Sequence, residues 1–452
     1  MKKLLYFFIF LSATLLSAQN NTMSRDSIAK YTQLDFAQMK EQLGITIPNR
    51  TGPSGNPSDA NAANTDENKV GSYSLPDPLI TSNGTQVLTE QTWWDIRRPE
   101  IVAQFEKVMY GRVPDNIPHV SWTIMSEKDT TAGPYPVTET LLLGKVENSD
   151  FPNIEVNIEL VIGLPKDTKE AVPLVTRFGF IKSPFGPPPA EPNSYFMSSY
   201  EPLWKQQLIS QKWGYAILVP SSIQADNGAG LTSGIIGLIN KGEHRNPEDW
   251  GVLRAWAWGA ERAMDYYETN PKIDASKIGI EGTSRYGKAA LVTMAFDPRF
   301  SLGFIGSSGA GGASLLRRNF GEMLENLASS GEYHWFAGNF IKYASTLTVN
   351  DLPVDAHELI ALCAPRPVFI SVGSPHIEGN WVDGKGMFLA GVKAGPVYKL
   401  LNKNGLSTNT YPTMGNAYTD GEIAFRQHAG GHSTGPNWST WIAWAHNYWT
   451  DK

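Results

Sequence analysis

The spacing of apolar positions changes period along this chain. Between residues 250 and 267, Leu253, Trp256, Ala257, Ala260 and Met264 recur three and four residues apart, the repeat of one helix face. Residues 154–164 instead alternate and stop at Pro165, and 172–178 and 215–219 are short β-branched and aromatic runs closed by Gly or Pro, which reads as strand. The two patterns then take turns. A strand is expected at 277–281, a helix at 286–296, a strand at 302–306 and a helical stretch at 314–329. A strand at 367–372 and a helix at 386–401 follow. Upstream, Trp93-Trp94-Asp95-Ile96-Arg97-Arg98-Pro99-Glu100 leads into a helix ending near Tyr110-Gly111. Strands alternating with helices predict an α/β fold whose mostly parallel sheet is covered on both faces. No internal repeat and no second domain is evident.

The two ends read differently. Met1-Lys2-Lys3, an apolar run over 4–16 and Ser17-Ala18 form a basic, apolar and small-residue series, so residues 1–18 are read as a secretory signal peptide. Residues 19–74, rich in Gly, Pro, Ser and Asn around 51–64, are expected to be a flexible segment with a short amphipathic helix near 31–43. The catalytic body is expected over 75–452. The expected address is the periplasm or the medium, with no membrane association once the signal is cut.

Composition narrows the function classes. Of 452 residues only Cys363 is a cysteine, so no disulfide forms within the chain, and its apolar neighbours predict a buried thiol. The net charge is −6 with Lys and Arg scattered, which argues against a nucleic-acid partner. The 14 Trp residues lean towards carbohydrate stacking, although most single tryptophans serve as core.

The chemistry concentrates at Gly282-Thr283-Ser284-Arg285-Tyr286-Gly287-Lys288. A β-branched run ends at a glycine, a serine follows two residues later, and a helix-prone stretch starts at once. That strand, sharp turn and helix lift a nucleophilic serine above the sheet in α/β-hydrolases. Ser284 needs a base held in one tautomer, and in this fold the acid and the histidine follow the serine in the chain. His432, in the glycine-rich His428-Ala429-Gly430-Gly431-His432-Ser433, is the preferred base, with His428 as competitor. The loop after the 367–372 strand offers Glu378, the preferred acid, and Asp383. Arg285 places a cation where an oxyanion forms, or pairs with a carboxylate to fix the turn. Lys288, one helical turn on, binds substrate hydroxyl or carboxylate groups or is a solvated lysine.

These residues together resemble the glucuronoyl esterases, carbohydrate esterase family 15, in their bacterial branch. The elbow matches the family's Gly-x-Ser-Arg-x-Gly-Lys. The likeness runs over residues 75–450 through Tyr110-Gly111-Arg112-Val113-Pro114, Ala255-Trp256-Ala257-Trp258-Gly259, Ser308-Gly309-Ala310-Gly311-Gly312, Trp335-Phe336 and Gly431-His432. The resemblance implies an α/β-hydrolase that cleaves glucuronic acid esters between xylan and lignin alcohols, without metal or cofactor. A monomer acting on polysaccharide is expected. The resemblance makes Ser284 the nucleophile, His432 the base and Arg285 the oxyanion stabiliser, and it implies that Lys288, Glu332 and Trp381 contact the uronate sugar. The chain departs from the family pattern at the two usual places of the acid, which are Ser307 and Gly379 here; Glu378, one residue from the second, is the expected substitute. The alternatives are an acetyl xylan or other carbohydrate esterase, or a catalytically weakened carbohydrate-binding relative.

Overall fold

In the computed structural model, residues 23–181 and 203–449 are described; residues 1–18, read as a signal peptide, lie outside them. Ten strands form one sheet: β1 Val120–Ala132, β2 Tyr135–Val146, β3 Asn157–Pro165, β4 Val172–Phe178, β5 Gly214–Leu218, β6 Ile273–Thr283, β7 Leu302–Gly306, β8 Val368–Val372, β9 Ala417–Tyr418 and β10 Ile423–Gln427. Their spatial order is β1-β2-β3-β5-β4-β6-β7-β8-β10-β9. From β5 to β10 across the sheet every neighbour is parallel, whereas β1, β2, β3 and the short β9 pair antiparallel.

The central parallel strands are buried on both faces. In β5, β7 and β8 every residue is buried, the continuous pattern expected of a sheet covered on two sides. On one face lies the helix Val252–Tyr267, whose Leu253, Trp256, Ala257, Ala260 and Met264 are all fully buried, as their spacing predicts. On the other lies the helix Trp438–Trp449, whose Trp441 stacks on Phe304 of β7 with ring centroids 5.5 Å apart. Many tryptophans are therefore core: Trp93, Trp250, Trp256, Trp258, Trp438, Trp441 and Trp444 are fully buried.

Three parts differ from the sequence expectation. The β1–β2 hairpin extends the sheet as a mostly solvated antiparallel ribbon that periodicity did not single out. The stretch 314–329 is turns with a single short helix, Leu324–Leu327. Tertiary bonds take its polar groups away from a helix: Leu316 N–H donates to Asp355 at 2.8 Å and Arg318 pairs with Asp383 at 2.9 Å.

The third difference is the segment read as a flexible tail. Its helix, Arg25–Gln42, is longer than expected and is bound to the body. Met39 is buried against Gly338, where an added Cβ would fall 2.2 Å from the Met39 sulfur. Tyr333 Oη donates to Asp35 Oδ2 at 2.6 Å. Beyond the helix, Arg50 donates to the carbonyls of Tyr343, Ser345 and Leu347, and Gly321 N–H donates to Asn64 O at 2.9 Å. A polar segment with little to bury by itself is ordered here by exchanging hydrogen bonds with the body, donating to its open carbonyls and accepting from Tyr333 and Gly321.

Candidate active site

Ser284 stands between β6 and the helix Arg285–Phe296 with φ 62° and ψ −132°, a conformation that a β-carbon disfavours. The turn closes because its neighbours lack side chains. A Cβ on Gly282 would fall 2.1 Å from Tyr286 O, and one on Gly287 would fall 2.6 Å from Gly306 O. Ser284 N–H donates to Gly306 O at 2.9 Å, so the elbow is tied to the end of β7. The helix that starts here leaves the first N–H groups without intrahelical acceptors.

The loops after β8 and β10 meet beside it. His432 Nδ1 lies 2.5 Å from Glu378 Oε1, and Glu378 Oε2 accepts from Gly373 N–H at 2.5 Å. The carboxylate is buried and accepting, so Nδ1 is the donor and the lone pair of the imidazole sits on Nε2. Gly373 makes this approach possible, since a Cβ there would lie 2.5 Å from both Glu378 Oε2 and Gly431 O. The histidine loop is also anchored to the serine strand. Thr434 Oγ1 donates at 2.6 Å to Glu281 Oε1, three residues before Ser284.

The competitors are occupied elsewhere. His428 has its Nε2 2.7 Å from Ser433 O and its Nδ1 accepts from Gly430 N–H, so it clips the loop that presents His432. Burial pushes its pKa down to about 4, which keeps it neutral. Asp383 caps the helix Gly384–Leu400 by accepting from Gly386 N–H and pairs with Arg318, with Ser314 Oγ also donating to it. Burial raises its pKa to about 6 against the pull of Arg318. Ser307, at one usual place of the acid, has a buried hydroxyl without a partner among the described residues.

Arg285, Lys288, Glu332 and Trp381 are brought to one region, but not all as expected. Arg285 pairs through Nε with Asp226 Oδ2 at 3.2 Å. Lys288 is not solvated. It is buried, and its ammonium lies 2.8 Å from Ser308 O, 2.5 Å from Ala310 O and 3.1 Å from Glu322 Oε2, acceptors enough for its three protons. The alternative of a solvated lysine is corrected accordingly: the ammonium is buried and paired with the loop after β7 and with Glu322. Glu332 is different. Its Oε2 is buried without a hydrogen-bond partner among the described residues, and its pKa is raised to about 7 by burial and then by Glu322, with Lys288 and Arg285 opposing. Trp381 is half-buried, its ring resting on Gly55 of the N-terminal segment, and its carbonyl accepts from Glu322 N–H. Among the described residues no group of three or more His, Cys, Asp or Glu is placed to hold a metal ion.

Sequence reasoning missed Asp226, Glu322, Glu281 and Thr434. Asp226 had one usable signal: it follows β5 at the carboxyl edge of the parallel strands, where sites of such sheets gather. The other three had none, because their partners lie far along the chain.

A family model described as "Glucuronyl esterase, fungi" matches residues 244–402. A carbohydrate esterase family 15 glucuronoyl esterase from Teredinibacter turnerae T7901 superposes with a TM-score of 0.86 at 42% identity, over 93% of this chain and 100% of that one. Carbohydrate esterase MZ0003, from an unknown prokaryotic organism, is 33% identical over 411 residues, 86% of this chain and 92% of that protein. The 4-O-methyl-glucuronoyl methylesterase 1 of Wolfiporia cocos is 29% identical over 337 residues, 72% of each chain. No helix among the described residues is long and apolar enough to cross a membrane.

Proposed function

Because this chain belongs to the glucuronoyl esterases of carbohydrate esterase family 15, and is thus a carboxylic ester hydrolase, we propose that it cleaves the ester joining a glucuronic acid branch of xylan to an alcohol of lignin. The observation that carries the mechanism is the 2.5 Å contact between His432 Nδ1 and the buried Glu378, at the same edge of the sheet as the Ser284 elbow.

Ser284 Oγ attacks the carbonyl carbon of the ester while His432 Nε2 takes its proton. Glu378 keeps the ring in the Nδ1–H tautomer and stabilises the imidazolium. The carbonyl π electrons move onto oxygen, which is met by the N–H of Arg285 and by its guanidinium. The tetrahedral intermediate collapses, the alcohol departs with the proton from His432, and a uronoyl ester on Ser284 remains. Water, deprotonated by His432, attacks that ester. The uronic acid leaves, and Ser284 regains its proton. Glu332, with its open oxygen, accepts from a sugar hydroxyl, and Trp381 flanks the ring.

Residues 1–18 then direct export, and the mature protein acts as a monomer on polysaccharide in the periplasm or outside the cell. The test is hydrolysis of benzyl glucuronate by the wild type and by Ser284→Ala, with acetylated xylan as the competing substrate. Turnover of the uronate ester that disappears in the variant supports the proposal. Equal rates in both proteins defeat it, and a preference for acetylated xylan transfers the activity to the other esterase class.

A further inference from the structure

The arginine beside the nucleophile is held by a cluster that the mechanism above does not use. Asp226 accepts two hydrogen bonds and pairs with one cation. Arg285 Nε lies 3.2 Å from Oδ2, Trp335 Nε1 donates to Oδ1 at 2.7 Å, and His334 Nε2 lies 3.2 Å from Oδ1. The indole of Trp335 is a shared floor: the Arg285 guanidinium carbon lies 5.8 Å from its ring centroid and the Lys288 ammonium 5.7 Å. His334 is buried, which lowers its pKa and leaves it neutral, so the proton on Nε2 is the one given to Asp226. Burial works against ionisation of Asp226, but the His334 hydrogen bond and the Arg285 charge outweigh it and hold the carboxyl below its ordinary value.

The geometry of this anchoring is selective. Asp226 engages Nε, the nitrogen nearest the backbone, and neither terminal nitrogen of Arg285 has a hydrogen bond to a described residue. The side chain is 41% exposed, so without an anchor its rotamers are open. We infer that Asp226, backed by Trp335 and His334, is a positioning residue that fixes the Arg285 guanidinium with its terminal N–H groups directed at the forming oxyanion. The inference rests on the reading of Arg285 as oxyanion stabiliser. Ordering a long charged side chain before the substrate arrives removes an entropic penalty from the chemical step, and so raises kcat more than affinity.

A double-mutant cycle on benzyl glucuronate tests this. Asp226→Asn is isosteric; it removes the charge and turns one acceptor oxygen into a donor NH₂. It is expected to lower kcat by roughly 10- to 50-fold with KM within about threefold, and to do nothing further in an Arg285→Ala background. Trp335→Phe, which keeps an aromatic floor and deletes the N–H, is expected to give a smaller loss of kcat alone that also vanishes in Arg285→Ala. It decides the matter if Asp226→Asn fails to fold by circular dichroism. Unchanged or raised kcat in Asp226→Asn overturns the inference, and so does an equal loss in both backgrounds. If Arg285→Ala keeps the wild-type rate, the role of Arg285 falls and this inference with it. A loss in Arg285→Ala with additive Asp226→Asn sinks the inference alone.

Discussion

Replacing Glu378 by glutamine separates orientation of the histidine from everything else in the site. The wild-type carboxylate is buried and accepts on both oxygens, from His432 Nδ1 and from Gly373 N–H, each at 2.5 Å. Glutamine has the same shape but one donor and one acceptor end. If its oxygen stays on Gly373, its NH₂ faces His432 and forces Nδ1 to accept, which moves the ring proton to Nε2 and leaves no base for Ser284. If its oxygen faces His432, its NH₂ is driven against the Gly373 N–H inside a gap that already excludes a Cβ. Either arrangement also leaves the imidazolium without its anionic partner. An amide in place of the orienting carboxylate of a serine triad lowers kcat about 10⁴-fold. The expectation here is 10³- to 10⁴-fold, about 4–5.5 kcal/mol on the barrier. The assay is steady-state hydrolysis of benzyl glucuronate with kcat and KM determined separately, alongside Asp383→Asn. KM should stay within about threefold, and Asp383→Asn should keep kcat in the folded fraction. A Glu378→Gln enzyme above about a tenth of the wild-type kcat, or a kcat loss confined to Asp383→Asn, would refute the reasoning.

Three further outcomes follow from the structure. Lys288→Met leaves the carbonyls of Ser308 and Ala310 without their donor and Glu322 without its cation, so unfolding by denaturant should show a loss of about 3–5 kcal/mol; an unchanged stability with a tenfold higher KM would show that the lysine serves substrate binding and not the fold. Glu332 has a folded-state pKa of about 7, above its ordinary value, so its protonated form favours the native state at low pH and that contribution fades as pH rises through 7. Between pH 5 and pH 8 the wild type should therefore lose more thermal stability than Glu332→Gln, by up to about 3 kcal/mol, and parallel stability curves would contradict this. Met39→Ala, in the N-terminal helix, should destabilise the whole domain by about 2–5 kcal/mol because Met39 is buried against Gly338; an unchanged melting temperature would show that the packing of this helix does not stabilise the body.

What the sequence carried by itself was local. Leu253, Trp256, Ala257, Ala260 and Met264 declare a helix face because 3.6 residues per turn act on neighbours, and β7 and β8 declare themselves as short, mainly apolar runs. The elbow is local too: Gly282, Ser284 and Gly287 lie within one turn, and the clearances that demand glycine are to Tyr286 O and to the adjacent strand. The strand-and-helix series also put Glu378 and His432 on loops at the edge of the sheet that carries Ser284.

The tertiary structure decided which charged groups face the chemistry. Glu378 and Asp383 are five residues apart and equivalent by composition, yet one meets His432 and the other Arg318. Lys288 stands at a position from which a side chain can reach substrate, but the carbonyls that capture it belong to residues 20 and 22 positions on. Asp226 lies 59 residues before Arg285, and the polar segment before residue 75 is held by partners such as Tyr343 O and Asn319 O, more than 250 residues away. A buried charge takes the partner that desolvation leaves within reach, and that partner is set by how distant segments pack rather than by the residues beside it.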